Sequence, residues 1–207
     1  MGRTITPKNK IARRFGVDLG LKTNAAKVAK RLNQAPGVHG ARKRPGSQSS
    51  YGKQLVEKQK AKFAYGLRER QFQGYATEAT RLEGDSGLNL MQLLESRFDN
   101  VIYRLGFATT RAQARQFVSH NMFTLNGKKM NIPSHLVRSG DIVALKASKT
   151  KKKLFENISE KLQQHQTPSW VAVDAVAKTG KILHKPQETD IEKLFDVKLI
   201  IEFYSSR

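Results

Sequence analysis

Positive charge limits this chain more than any other feature. Lys and Arg number 38 against 17 Asp and Glu over 207 residues, a formal net charge of +21 at pH 7. Residues 1–62 hold 16 of the basic residues with only Asp18 and Glu57 to oppose them. A compact, self-contained body of that charge would repel itself, and a polyanionic partner is the simplest remedy. The 38% hydrophobic content still suffices to bury a core in one large or two small domains. Cysteine is absent, which removes disulfides and thiolate metal sites and suits a reducing compartment. No apolar run approaches the roughly eighteen residues of a membrane span, so no membrane partner is expected.

Residues 1–50 read as a basic extended arm that orders on its partner. Arg3, Lys8, Lys10, Arg13, Arg14 and Lys22 lie in it with no acid before Asp18. Turn-forming groups at Gln34-Ala35-Pro36-Gly37 and Arg44-Pro45-Gly46 set it apart from a monotonous solubility tail. Ser47-Gln48-Ser49-Ser50 then offers N-cap side chains to a helix over 53–65, on which Lys53, Lys58, Lys60 and Lys62 are opposed only by Glu57. Gly66 breaks that helix. A second one follows over 67–79, with Phe72, Tyr75, Ala76 and Ala79 at i, i+3, i+4 and i+7 and with Arg68 and Arg70 near its start. Two amphipathic helices with basic outer faces suit RNA.

Gly84-Asp85-Ser86-Gly87 marks a domain boundary, so residues 51–88 form a helical domain, joined by 187–207. Beyond it, Leu90, Leu93, Leu94, Phe98, Val101, Ile102 and Leu105 trace one helical stripe ending before Gly106. Thr110-Arg111-Ala112-Gln113 is a capping box that opens a helix to about residue 119. Arg111 and Arg115 then share a face; such a pair costs an isolated helix a few tenths of a kcal/mol, roughly, and a phosphate would reverse the sign. His120-Asn121 closes the helix, and Asn126-Gly127 between two apolar-alternating runs is a strong hairpin signal. A further strand spans 142–146. Residues 89–150 thus make a helix, helix, hairpin and strand module, which 151–186 extends with a helix and with strands at 170–173 and 181–183. Thr189-Asp190-Ile191-Glu192 reads as a second capping box opening a short helix. Residues 197–204 read as a strand with Val197, Leu199, Ile201 and Phe203 on one side. The fold class is α+β: a basic N-terminal arm and helical domain, plus an RNA-binding module of two helices packed on a small, mainly antiparallel sheet.

Several of these stretches are similar to a known family. Gln34-Ala35-Pro36-Gly37, His39-Gly40-Ala41-Arg42-Lys43, Tyr51-Gly52-Lys53-Gln54-Leu55, Glu57-Lys58-Gln59-Lys60 and Tyr65-Gly66-Leu67 resemble the N-terminal half of the bacterial small-subunit ribosomal protein S4 family. The run from Arg97-Phe98-Asp99-Asn100 through Arg104-Leu105-Gly106-Phe107-Ala108, Thr110-Arg111, Gln113-Ala114-Arg115-Gln116 and Asn126-Gly127 resembles the RNA-binding domain named after that family. Leu199-Ile200-Ile201-Glu202-Phe203-Tyr204-Ser205 looks like its terminus.

The resemblance implies a primary binder of small-subunit rRNA that nucleates assembly of the subunit body. It also implies a place in the channel by which messenger RNA (mRNA) enters, an influence on decoding accuracy, and contact with ribosomal protein S5. Some family members repress their own messenger. Arg42 and Lys43, with Arg44 matching less securely, would lie near the incoming mRNA. Asn9 and Ala12 stand where zinc-binding members carry cysteines, so no metal is expected. The implied location is cytoplasmic, in the small ribosomal subunit, with an organellar ribosome as the alternative, and the chain is not expected to be a homo-oligomer.

Polyvalent phosphate neutralisation is the mechanism that the residues themselves suggest. The candidate RNA contacts are Arg3, Lys8, Lys10, Arg13, Arg14, Lys22, His39, Arg42, Lys43 and Arg44 in the arm; Tyr51, Lys53, Lys58, Lys60, Lys62, Arg68 and Arg70 in the helical domain; and Arg111, Gln113, Arg115, His120, Asn126, Lys128 and Lys129 in the module. Tyr51 could stack on a base or staple the helix after it, and Arg104 could equally pair with Asp99 or Glu95. The rival class is an RNA-modifying enzyme or accessory factor carrying the same type of domain. No dinucleotide fingerprint follows a strand and the five histidines are dispersed, so neither catalytic residues nor a cofactor are expected.

Overall fold

The computed structural model describes residues 6–40, 48–150, 152–190, 192 and 194–205. The chain divides into two compact units, one made of Met1–Leu90 with Glu192–Arg207 and the other of Met91–Ile191. The division falls inside a helix, Ser86–Glu95.

The first unit contains helices α1 (Lys8–Phe15), α2 (Ala25–Ala29), α3 (Ser50–Ala64), α4 (Glu69–Arg81), the start of α5 (Ser86–Glu95) and α10 (Val197–Ser205). Helix α1 corrects the reading of an arm extended throughout. Ile11 and Ala12 are buried, Phe15 lies 6.0 Å from the Phe63 ring of α3, and Gly16 ends the helix at a φ of 66°. The Arg13 guanidinium reaches back to the carbonyls of Gln34 and Ala35 at 2.9 and 3.0 Å, clasping a later turn onto α1. Ser49 caps α3 by accepting the Gly52 N–H, and α4 buries Phe72, Ala76 and Ala79 on one face.

The C-terminal segment is a helix, not the expected strand. Its apolar run fits a period of two and a period of 3.6 about equally, and tertiary packing decides between them. Asp196 caps the first turn, Ile200 and Phe203 are buried three residues apart, and the alternate set Val197, Leu199 and Ile201 is only half-buried. The helix docks on α3 and α4: Tyr204 donates to Glu69 at 3.0 Å, Gln54 donates to Glu202 at 3.1 Å, and Phe72 lies 6.2 Å from the Tyr204 ring. Nor does an α-helix follow the second capping box among the described residues. Asp190 turns its carboxylate to the Gln187 N–H and the Ser169 hydroxyl, and only a single 3₁₀ turn, Glu188–Asp190, results.

In the second unit, the predicted single stripe over 90–105 is divided. After α5 the backbone of Arg97 is extended and bridges Leu136, and α6 (Phe98–Arg104) begins anew, its first amide donating to the His135 carbonyl at 2.8 Å. Helix α7 (Arg111–Ser119) follows. The strands β1 (Phe123–Leu125), β2 (Lys128–Met130), β3 (Ile142–Leu145), β4 (Val171–Asp174) and β5 (Thr179–Ile182) form one antiparallel sheet in the order β2-β1-β3-β5-β4. Two short helices, α8 (Ala147–Thr150) and α9 (Ile158–Gln164), lie between β3 and β4.

Phe98, Leu105, Phe117, Phe123, Phe155 and Trp170 belong to the core of this unit, with Phe107 edge-on to Phe123 at 5.3 Å. Leu105 lies so close to β5 that a Cβ on Gly180 would come within 2.6 Å of it. The hairpin forms as predicted, with Leu125 opposite Lys128 and both Asn126 and Gly127 at positive φ.

Candidate nucleic-acid interface

The lysines of α3 do not form the expected basic outer face. Lys58 is 4% exposed; its ammonium pairs with Glu69 and sits 4.6 Å from the Phe203 ring centroid. Lys62 donates to the other Glu69 oxygen at 2.9 Å, and Lys60 to Glu57 at 2.7 Å. Glu69 opens α4 just past the turn at Gly66, so the first residue of the next helix supplies the counter-charge that a reading of α3 alone lacks. Only Lys53 of the four stays exposed.

Burial alone would push the Glu69 carboxyl upward, but hydrogen bonds from Lys58, Lys62 and Tyr204, together with the Lys58 charge, hold it at about 2 against an ordinary 4.5. A carboxyl depressed on folding stabilises fully above its unfolded pKa, and that contribution is lost as pH falls toward the folded value. Chemical unfolding followed between pH 5 and about 2 should therefore lose stability progressively. The Glu69→Gln variant should lose less over the same window.

Of the expected contacts in this unit, Lys8, Lys10, Arg14, Lys22, His39, Lys53, Arg68 and Arg70 face solvent, and no ion pair holds any of these among the described residues. Arg13 is spent on its clasp. Three exposed cations around the end of α2, namely Lys27, Lys30 and Arg31, escaped the sequence reading. The signal was present, because no acid occurs between Asp18 and Glu57. Tyr51 is half exposed in the first turn of α3, its ring 5.7 Å from Phe203, so it packs on α10 and does not staple its own helix. Arg3, Arg42, Lys43 and Arg44 lie outside the described residues.

In the second unit, charge is organised around two buried acids. Glu95 at the end of α5 accepts Arg104 in a fork, at 2.9 and 3.0 Å, and also accepts the Asn100 amide at 2.8 Å. Asp99 accepts Arg97 in the same way, at 3.1 and 2.8 Å. The pair on α7 joins this network from outside: Arg115 donates to Asp99 at 3.3 Å, and Arg111 donates to Asn100 at 2.8 Å while its guanidinium lies 4.5 Å from the Tyr103 ring centroid. With side chains 9% and 15% exposed, Arg111 and Arg115 are no longer a pair that could be replaced without touching the fold, as their helical spacing alone suggests.

Gln113 and Asn126 are also occupied by the fold. Gln113 accepts from the Thr109 amide and hydroxyl, completing the cap that Thr110 makes on Gln113 itself. Asn126 donates to Asp141 and accepts the Ile142 N–H, both at 2.8 Å, fixing the hairpin to β3. His120, Lys128 and Lys129 remain exposed, the two lysines along the edge strand β2. Among the described residues, no three His, Asp or Glu side chains converge as a metal site, and no helix is long and apolar enough to cross a membrane.

Comparison with known proteins agrees with this division of the chain. Residues 3–95 match the family model described as ribosomal protein S4/S9 N-terminal domain, and residues 96–143 match the S4 domain. The chain is 44% identical over 207 residues to small ribosomal subunit protein uS4A of Psychromonas ingrahamii, covering 99% of this chain and 100% of that one. It is 47% identical, at the same coverage, to small ribosomal subunit protein uS4 of Paraburkholderia phytofirmans.

Proposed function

This chain belongs to the ribosomal protein S4 family, and from that premise we propose that it is a structural constituent of the small ribosomal subunit and a primary binder of small-subunit rRNA, with no catalytic activity of its own. Binding of this kind would nucleate the subunit body. The family further suggests mRNA at the incoming channel and ribosomal protein S5 as neighbours, an effect on decoding accuracy, and a single copy per subunit.

One observation carries the RNA reading. Acids in both units are taken up in ion pairs that hold the fold, Glu69 and Glu57 in one and Glu95 and Asp99 in the other, while cations without an ion pair among the described residues face out on α1, α2, α4 and the β1–β2 hairpin. Such a surface attracts phosphate without reading bases, so shape and 2′-hydroxyls would supply selectivity.

If about ten of these groups meet phosphate, affinity for a structured small-subunit rRNA transcript should fall with salt at a log–log slope of roughly −7 to −9. Changing Lys128 and Lys129 together to Gln should flatten that slope by roughly 1.5 to 2 if both contact phosphate, with the fold intact, since both are exposed. Preference for duplex DNA over the transcript at moderate salt would overturn the reading. For the mRNA neighbourhood, Arg42→Ala with Lys43→Ala should leave assembly nearly intact and change passage through structured messenger, as read by a strand-unwinding assay during elongation.

A further inference from the structure

We infer that Arg13 is a positioning residue and not a phosphate contact: it holds the loop over 34–40 so that Val38 and His39 meet an unpaired nucleobase of the bound RNA. The inference rests on the RNA-binding reading and adds which chemical group this loop takes and what prepares the loop for it.

The loop is closed at its base in two independent ways. From α1, the Arg13 guanidinium donates to the carbonyls of Gln34 and Ala35 at 2.9 and 3.0 Å. Across the loop, the Gly40 amide donates to the Gly37 carbonyl at 3.1 Å, with Gly37 at a φ of 105°. A Cβ on Gly40 would come within 1.8 Å of the Ala35 carbonyl oxygen, so only glycine closes the ring. A guanidinium is a planar fork that can serve two successive carbonyls at once, whereas an ammonium is a point charge without that geometry. Engaged through Nε and one terminal nitrogen, the Arg13 fork is aimed at the protein's own backbone.

The side chains that the loop presents differ from the cations that precede them. Val38 is 95% exposed, more than any other large apolar side chain among the described residues, and His39 next to it is exposed as well. Lys27, Lys30 and Arg31 come just before, exposed and without an ion pair among the described residues, and they would draw an RNA backbone close. A branched hydrocarbon cannot bind phosphate. It needs an apolar surface, and the broadest that RNA offers is the face of a base. An imidazole stacks on that same face, and a base free to be splayed out for such contact is an unpaired one. A loop already closed loses little freedom when the base arrives, which is how preorganisation converts contact into affinity.

The test measures binding of a structured small-subunit rRNA transcript by the full chain across a salt series. Arg13→Lys keeps the charge and loses the fork, so it should weaken binding about tenfold with the salt slope unchanged, as should Arg13→Gln. A phosphate contact at Arg13 predicts the reverse: Arg13→Lys would bind like the wild type and Arg13→Gln would flatten the slope by about one. Val38→Ser with His39→Ala should also weaken binding about tenfold, while the Gly40 amide keeps its wild-type protection from hydrogen exchange. Adding Arg13→Lys to that pair should cost nothing further, because Arg13 acts through the loop; a loss by general destabilisation would add. Acylation of 2′-hydroxyls along the transcript should find an unpaired nucleotide that the wild type quiets and the Val38, His39 variant leaves reactive. If the wild type binds and that variant binds equally well, the inference is overturned and the RNA reading survives. If the wild type ignores the transcript, the RNA reading fails and the inference falls with it.

Discussion

Glu95→Ala is expected to destabilise the protein by about 3–5 kcal/mol, because it removes one partner of a buried ion pair and leaves the other charge uncompensated. Glu95 is 1% exposed and accepts from Arg104 twice and from Asn100 once, so its loss strands several donors together. Arg104 is itself 8% exposed and cannot recover full hydration without opening the helices around it. Urea unfolding should show the midpoint falling with little change in slope, the mark of lost stability and not of a more compact denatured state.

A second substitution separates the two halves of that cost. Replacing Glu95 and Arg104 together by apolar residues of similar volume should restore most of the loss, because a satisfied buried pair contributes little beyond its own desolvation. A loss below about 1 kcal/mol for Glu95→Ala would mean that the carboxylate is an onlooker and that the helices are held by their apolar faces alone.

This acid shows where the sequence could be read and where it could not. Features carried within a few residues were legible. The Asn126-Gly127 turn needs only two residues at positive φ, the Thr110 cap only four, and the pairing of Arg104 with Glu95 or Asp99 was one of two readings open from proximity in sequence. The pairing of Lys58 and Lys62 was hidden, because their partner Glu69 belongs to the next helix and meets α3 only once the turn at Gly66 has folded.

The same holds for the outer arginines, whose spacing on α7 was visible while the acids of α5 and α6 beneath them were not. Charge density also masked α1, where the apolar pair Ile11 and Ala12 is too short to declare a period among four cations. Helix α10 failed for the opposite reason, being so apolar that both periodicities fit it.

Because α10 is held by aromatic rings more than by charge, Phe203→Ala should be as damaging as the loss of Glu95. Phe203 is 2% exposed, with the Tyr51 ring at 5.7 Å, the Tyr204 ring edge-on at 5.2 Å and the Lys58 ammonium at 4.6 Å. Truncating a buried Phe costs about 3–5 kcal/mol through lost transfer energy and the cavity left behind. Loss of a desolvated cation–π contact adds about 1–2 kcal/mol to the same account. Phe203→Leu should cost clearly less, since it refills much of the volume and forfeits mainly the ring face offered to Lys58. Hydrogen exchange distinguishes the outcomes: in Phe203→Ala, amides of α10 and of the first turns of α3 should lose protection together, because Tyr51 loses its packing partner and Gln54 loses its fixed acceptor Glu202. If only α10 frays while α3 keeps its protection, the helix rests on a body that is complete without it, and the pairing of Lys58 with Glu69 is enough to order α3.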